Sequence, residues 1–184
     1  MMAMSNRWIY EKVNELVEKY KTRNPEELAK ALDINIKYMD ETKTLLGMYQ
    51  VILKNRYIFI PNNLGSLKNT VIAHEIGHDQ LHRDESLKGV TFHESRVFNP
   101  VNIFEIEANI FAAHLLIPDD DLLNMMKYAE SDRDLAIGLG VDINLLNLKI
   151  SELVKLNIID LKNILPNRPD SGFLKYYKPR NDLD

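Results

Sequence analysis

The chain has 184 residues, 45% of them hydrophobic and 27% charged, the composition of a globular domain able to bury its own core. With 27 acidic residues against 23 basic ones the net charge is -4, which argues against a nucleic-acid binder working by bulk charge. There are no cysteines, so disulfides and thiolate metal sites are excluded, and any metal must be held by His, Asp or Glu.

The first twenty residues carry charges at Arg7, Glu11, Lys12, Glu15, Glu18 and Lys19 and contain no apolar signal core. No segment elsewhere approaches the length needed to span a bilayer, so the expected location is cytoplasmic and no membrane partner is expected. Trp8, Ile9, Val13, Leu16, Val17 and Tyr20 recur at helical spacing and predict an amphipathic helix over 6–21. Asn24-Pro25 reads as a cap followed by proline at the first helical position, with Leu28, Ala29 and Leu32 as the apolar side of a short helix.

The pattern then changes to alternation at Ile34, Ile36 and Tyr38. Two β-branched and aromatic runs follow, Leu46 to Leu53 and Tyr57 to Pro61, separated by a turn at Lys54-Asn55-Arg56. Three strands in a small antiparallel sheet are expected. Residues 63–82 predict one long helix, 83–100 an irregular polar stretch, and 101–116 a second strong helix ended by Pro118. Helices over 119–129, 131–138 and 142–157 complete the expectation, before a tail from Pro166 rich in proline. The organisation is α+β: a domain over 1–165 with its core at 63–118 and C-terminal helices over 119–160, then an irregular tail over 166–184.

Within the first long helix the residues His74-Glu75-Ile76-Gly77-His78 stand out. Residues four apart on a helix share a face, so His74 and His78 can present imidazole nitrogens to one ion. Glu75 points to the adjacent side, where it reaches a water activated by the ion and serves as general base. Gly77 leaves the helix surface open to close approach by another backbone or a substrate.

A catalytic zinc takes three protein ligands, so a third is needed. His82 continues the spacing, but three turns of one straight helix cannot wrap an ion, and His82 reads as a helix-end residue. The second helix offers Glu105, with Ala108, Asn109 and Ala112 on the same face. Asn109 would then orient a histidine from behind. Glu107 lies about 160° away and is expected to face solvent if Glu105 faces the ion, and it remains the alternative third ligand. His114, flanked by apolar residues, reads as a core histidine. Ligand type favours Zn2+ over manganese or iron.

These residues, with Glu105-Ile106-Glu107-Ala108-Asn109-Ile110-Phe111-Ala112-Ala113 and Leu115-Leu116-Ile117-Pro118, resemble the ImmA/IrrE family of metallopeptidases. Gly47-Met48-Tyr49 and the run from Tyr57 to Leu64 are also similar to that family, and the resemblance covers roughly residues 8–125. It implies a zincin-like, minimal gluzincin fold, with a small sheet beside two zinc-binding helices. It implies His74, His78 and Glu105 as ligands, Glu75 as base, and a helix-turn-helix repressor of a mobile element or prophage as protein substrate. Candidate donors to the reacting carbonyl oxygen are Tyr49, His93 and Tyr176 or Tyr177. The strand from Gly47 to Leu53 is a candidate edge for peptide addition.

Two other readings compete. Residues 26–34 and 134–141 each resemble the first half of a helix-turn-helix. The first lacks a recognition helix and the second is followed by a helix offering mainly one lysine, Lys149, which is weak phosphate chemistry. Direct nucleic-acid binding is therefore not expected. The remaining alternative is a metal-containing regulatory protein that binds DNA or a repressor without cutting it.

Overall fold

The computed structural model describes residues 6–40, 45–88, 92–94 (backbone only) and 102–160. Within them the chain divides into two compact units, residues 6–116 and the helices from Ile117 onward. Tyr176, Tyr177 and the tail over 166–184 lie outside the described residues, as does Pro100.

The first unit opens with α1 (Arg7–Tyr20), which buries Ile9, Val13 and Leu16, one residue per turn along one face. A short helix, α2 (Pro25–Ala31), starts where expected: the Asn24 side chain accepts from the backbone N–H groups of Glu26 and Glu27, and Pro25 needs no donor there. Four strands follow: β1 (Ile34–Met39), β2 (Gly47–Ile52), β3 (Asn55–Pro61) and β4 (Phe92–Glu94), in the order β1-β3-β2-β4.

The sheet is mixed rather than wholly antiparallel. β2 pairs antiparallel with both β3 and β4, but β1 pairs parallel with β3, with Ile36 opposite Ile58. The cause is topological: the chain leaves β1 at Met39, beside Pro61, and enters β2 at the same end of the sheet. The returning strand of the hairpin then slots between them. β4 also corrects the expectation for residues 83–100, which hold both this strand and a five-residue helix, α4 (Arg83–Leu87). It pairs with β2 along Gly47, Met48 and Tyr49, so that part of β2 is not a free edge for a peptide.

The hairpin turn also sits earlier than its composition suggests. Ile52 pairs with Asn55, leaving Leu53 and Lys54 as the two loop residues, both at positive φ (49° and 69°). This is a mirror-image turn whose backbone suits strand twist but which favours Asn and Gly. Leu53 is 90% exposed, so it gains nothing from packing in return.

The long helix is preceded by a tight 3-10 turn over Gly65–Leu67 and runs as α3 (Lys68–Leu81). It is buried on nearly every side, from Thr70 to Asp79, and packs against the sheet on one face and α5 (Ile103–Leu116) on another. A Cβ on Gly77 would stand 3.0 Å from the Ala108 Cα, so the open surface at Gly77 is filled by the backbone of α5. Asn102 caps α5 by accepting from the Glu105 N–H, and Arg23 donates to the carbonyls of His114 and Leu115 at its far end.

Asp79 ties α3 to the sheet. Its buried carboxylate accepts from the Tyr49 hydroxyl at 2.7 Å, pairs with Arg56 at 3.2 Å and Arg83 at 2.8 Å, and accepts from the Gln80 amide. Arg56 also donates to the Leu32 carbonyl, so one carboxylate links β2, β3, α3 and the end of α2.

The second unit contains α6 (Asp119–Met126), α7 (Asp132–Leu139) and α8 (Ile143–Lys155). Leu122, Met126, Leu135, Leu145, Leu146, Ile150 and Leu153 are buried in it. Lys149 is buried too and paired with Asp119, so it is withdrawn from any phosphate.

Two stability outcomes follow from this architecture. Replacing Leu53-Lys54 by Asn-Gly should raise stability by about 1 kcal/mol, by relieving left-handed strain, read as a shift in urea midpoint. Tyr49→Phe should lower it by about 1.5–3 kcal/mol, because a hydrogen bond to a buried carboxylate is lost. An unchanged midpoint would show that the hydroxyl is not holding Asp79.

Candidate metal centre

The geometry of the centre begins with matched repeats. Gly47 and Tyr49, two residues apart, point to one face of β2, a rise of about 6.7 Å. Glu75 and Asp79, four apart, lie on one face of α3, a rise of about 6 Å. The strand therefore lies along the helix in step: Gly47 over Glu75, Tyr49 on Asp79. A Cβ on Gly47 would stand 2.5 Å from the Glu75 Oε1 and 2.6 Å from a Val71 methyl, so only glycine leaves room for that carboxylate. Glu75 is wholly buried.

About 100° around the helix, His74 and His78 face α5. Their Nε2 atoms lie 3.0 Å apart, and the Glu105 carboxylate meets them at 3.2 Å (His74) and 3.5 Å (His78). Among the described residues this is the group of His, Asp and Glu side chains that could hold a metal ion, and all three are buried. The spacing fits the ion. Ligands at about 2.0–2.1 Å in a tetrahedron stand about 3.3 Å from one another, close to the three separations here.

The donor set fits as well. The His74 Nδ1 lies 2.9 Å from the Asn109 Oδ1. An amide oxygen only accepts, so His74 donates from Nδ1 and its Nε2 lone pair faces inward. A second imidazole nitrogen and a carboxylate oxygen converge with that lone pair, an arrangement that a cation relieves.

Burial pushes the His78 imidazole down to about 3, helped by His74 and His82 and opposed by Glu105. Burial would raise Glu105, but its hydrogen bonds to His74 and His78, with their charge interactions, hold it well below the usual carboxylate range. Both residues are therefore kept in the deprotonated form that a metal requires.

The other sequence candidates are placed differently. Tyr49 is fully buried with its hydroxyl on Asp79, away from the three donors. Burial and the facing carboxylate keep that hydroxyl protonated, well above the ordinary tyrosine range. His93 lies on β4 opposite Met48, and its side chain falls outside the described residues. His114 is a core histidine, set edge-on to the Tyr10 ring at 5.1 Å.

His82 ends α3, as its spacing suggested, while Glu107 corrects the sequence reading. His82 is 4% exposed, and its ring lies edge-on to Phe104. Its Nδ1 is 3.1 Å from the His78 Nδ1 and its Nε2 is 2.8 Å from Glu107, which is turned to this partner and not to solvent. The helical wheel keeps His82 on the His78 face, where it is found, but misjudges Glu107, because it gives a residue's face on its own helix and not the ring that meets that face from the end of α3.

The pH dependence has a definite sign. An unfolded histidine takes up a proton near pH ~6.5, well above the folded His78. Stability is therefore complete above that value and is lost as pH falls toward about 3, with depressed Glu105 adding to the loss at the acid end. Urea midpoints of the metal-free chain should fall steadily between pH ~7 and ~4, and His78→Asn should flatten the slope.

A model of the IrrE N-terminal-like domain of the M78 peptidases matches residues 29–151, a span that includes both donor helices. The chain is also similar to the uncharacterized immunity region protein 2 of Bacillus phage phi105. The two are 36% identical over 158 residues, covering 83% of this chain and 98% of that protein.

Proposed function

Because the chain belongs to the M78 peptidase family of IrrE N-terminal-like domains, we propose that it is a zinc-dependent peptidase that hydrolyses a peptide bond in a helix-turn-helix repressor of a mobile element or prophage. The observation that carries this reading is the convergence of His74, His78 and Glu105 within one buried cluster, with Glu75 next to the first of them on the same helix.

In this reading His74, His78 and Glu105 hold the ion, and Asn109 fixes the orientation of His74. Zinc held by these residues would supply Lewis-acid chemistry, making a water more acidic and a peptide carbonyl more electrophilic. Glu75 takes the proton at its carboxylate and passes it to the departing amine. Its position beneath Gly47 restricts the carboxylate to few orientations, which favours a fixed proton acceptor over a mobile surface acid. The relative's name, an immunity region protein of a phage, supports a substrate that controls a phage element. Among the described residues no helix is long and apolar enough to cross a membrane, consistent with a protein substrate met in the cytoplasm.

Metal content of the purified protein beside His78→Ala and Glu105→Ala tests the site. About one zinc per chain, lost in both variants, is the expected result. Zinc retained in Glu105→Ala would move the third ligand elsewhere, and no metal in any preparation after zinc is supplied would overturn the reading. Mass spectrometry of a co-expressed phage repressor then tests hydrolysis. Glu75→Gln should keep the zinc and lose cleavage by at least about 100-fold.

A further inference from the structure

Each of the two histidines in the cluster uses Nε2 inward, so each must carry its proton on Nδ1, and something must hold that proton there. For His74 the holder is Asn109 at 2.9 Å. For His78 it is another histidine. His82 Nδ1, 3.1 Å away, accepts that proton only when its own hydrogen is on Nε2, and Nε2 faces the Glu107 carboxylate at 2.8 Å. A carboxylate accepts and never donates when ionised, so it selects this tautomer of His82.

The directions run one way: His78 Nδ1–H to His82 Nδ1, His82 Nε2–H to Glu107. If Glu107 offered no acceptor, His82 could carry its hydrogen on Nδ1, and two N–H groups would then oppose each other at 3.1 Å. His78 would be driven to the tautomer with hydrogen on Nε2, the atom that must be bare to bind a metal.

We infer that His82 and Glu107 form a positioning relay that holds the His78 ring and its tautomer for metal binding, with Glu107 as the remote anchor. The inference rests on the proposed metal site. It goes beyond it in giving the two histidines unlike supports: one amide for His74, and an imidazole with a carboxylate for His78. The relay also joins the C-terminal end of α3 to the first turns of α5, with Phe104 packed edge-on against the His82 ring at 4.9 Å. The ring therefore has little room to turn away from its two partners. Second partners of this kind characteristically change metal affinity by about 10–100-fold.

The experiment uses the full chain with Glu107→Leu, Glu107→Gln and His82→Phe. Glu107→Gln keeps an oxygen acceptor for the His82 N–H, Glu107→Leu removes it, and His82→Phe keeps a ring against Phe104 without either nitrogen. Two quantities are read: zinc affinity by competition with a chelator, and the His78 tautomer of the metal-free protein by nitrogen-15 NMR.

Glu107→Leu and His82→Phe should weaken zinc binding by about 10–100-fold, with Glu107→Gln restored to within about threefold of wild type. The Nδ1–H form of His78 should dominate in wild type and Glu107→Gln and be scrambled in Glu107→Leu. Equal zinc affinity in Glu107→Leu and wild type would overturn the relay, whatever the tautomer does. If wild type itself binds no zinc, the metallopeptidase reading fails separately. The metal-free tautomers then decide the relay alone: a change between wild type and Glu107→Leu sustains it and identity overturns it. Should His82→Phe fail to fold, the two Glu107 variants, altered at a partly buried position, carry the decision.

Discussion

Gly77 and Ala108 stand so close that a single β-carbon between them would meet backbone, and the rest of the centre depends on that approach. α3 alone supplies two imidazoles on one face and nothing to close the shell around an ion. Only when α5 lies against it does Glu105 come within 3.2–3.5 Å of both rings and Asn109 reach the back of the first. The contact is made from small residues because a carboxylate side chain is short; an extra methyl's width between the helices would carry Glu105 out of range. Packing density here sets chemistry as well as stability.

Asp79 does for the sheet what Gly77 does for α5. It follows His78 directly, and its carboxylate gathers Tyr49, Arg56, Gln80 and Arg83. A buried charge satisfied by this many donors does not have to be a large source of stability to be useful. It fixes where α3 sits along β2, and hence that Glu75, one turn earlier, lies under Gly47. The register of a strand on a helix is ordinarily loose, because apolar contacts have no direction. A hydrogen-bonded carboxylate gives it one.

Much of this was legible in the sequence. The apolar rhythm of Ile9, Val13 and Leu16, the cap at Asn24-Pro25, and the pairing of His74 and His78 with Glu105 and Asn109 all depend on spacing within a single helix or on two strongly periodic ones. What stayed hidden depends on contacts between distant segments or on broken regularity. β4 has three residues and exists only because β2 offers an edge. The Leu53-Lys54 turn carries no Gly or Asn to announce it. The parallel pairing of β1 follows from which hairpin strand returns beside it. Glu107 meets His82 across two helices, and a wheel drawn for either helix alone does not show that contact.

Gly47 has a consequence for how such a protein could change over generations. The atoms that a Cβ there would meet first belong to Val71 and to Glu75, the acid that would move the proton. A codon change adding one methyl group there would press first on Glu75 and Val71 and leave the identities of His74, His78 and Glu105 unchanged. Under the proposed function, descendants of such a chain would keep the candidate metal-binding residues while losing the cut. The step from a repressor-cleaving enzyme to a protein that merely captures its target would then be a single mutation long, and it would leave the most recognisable part of the sequence untouched.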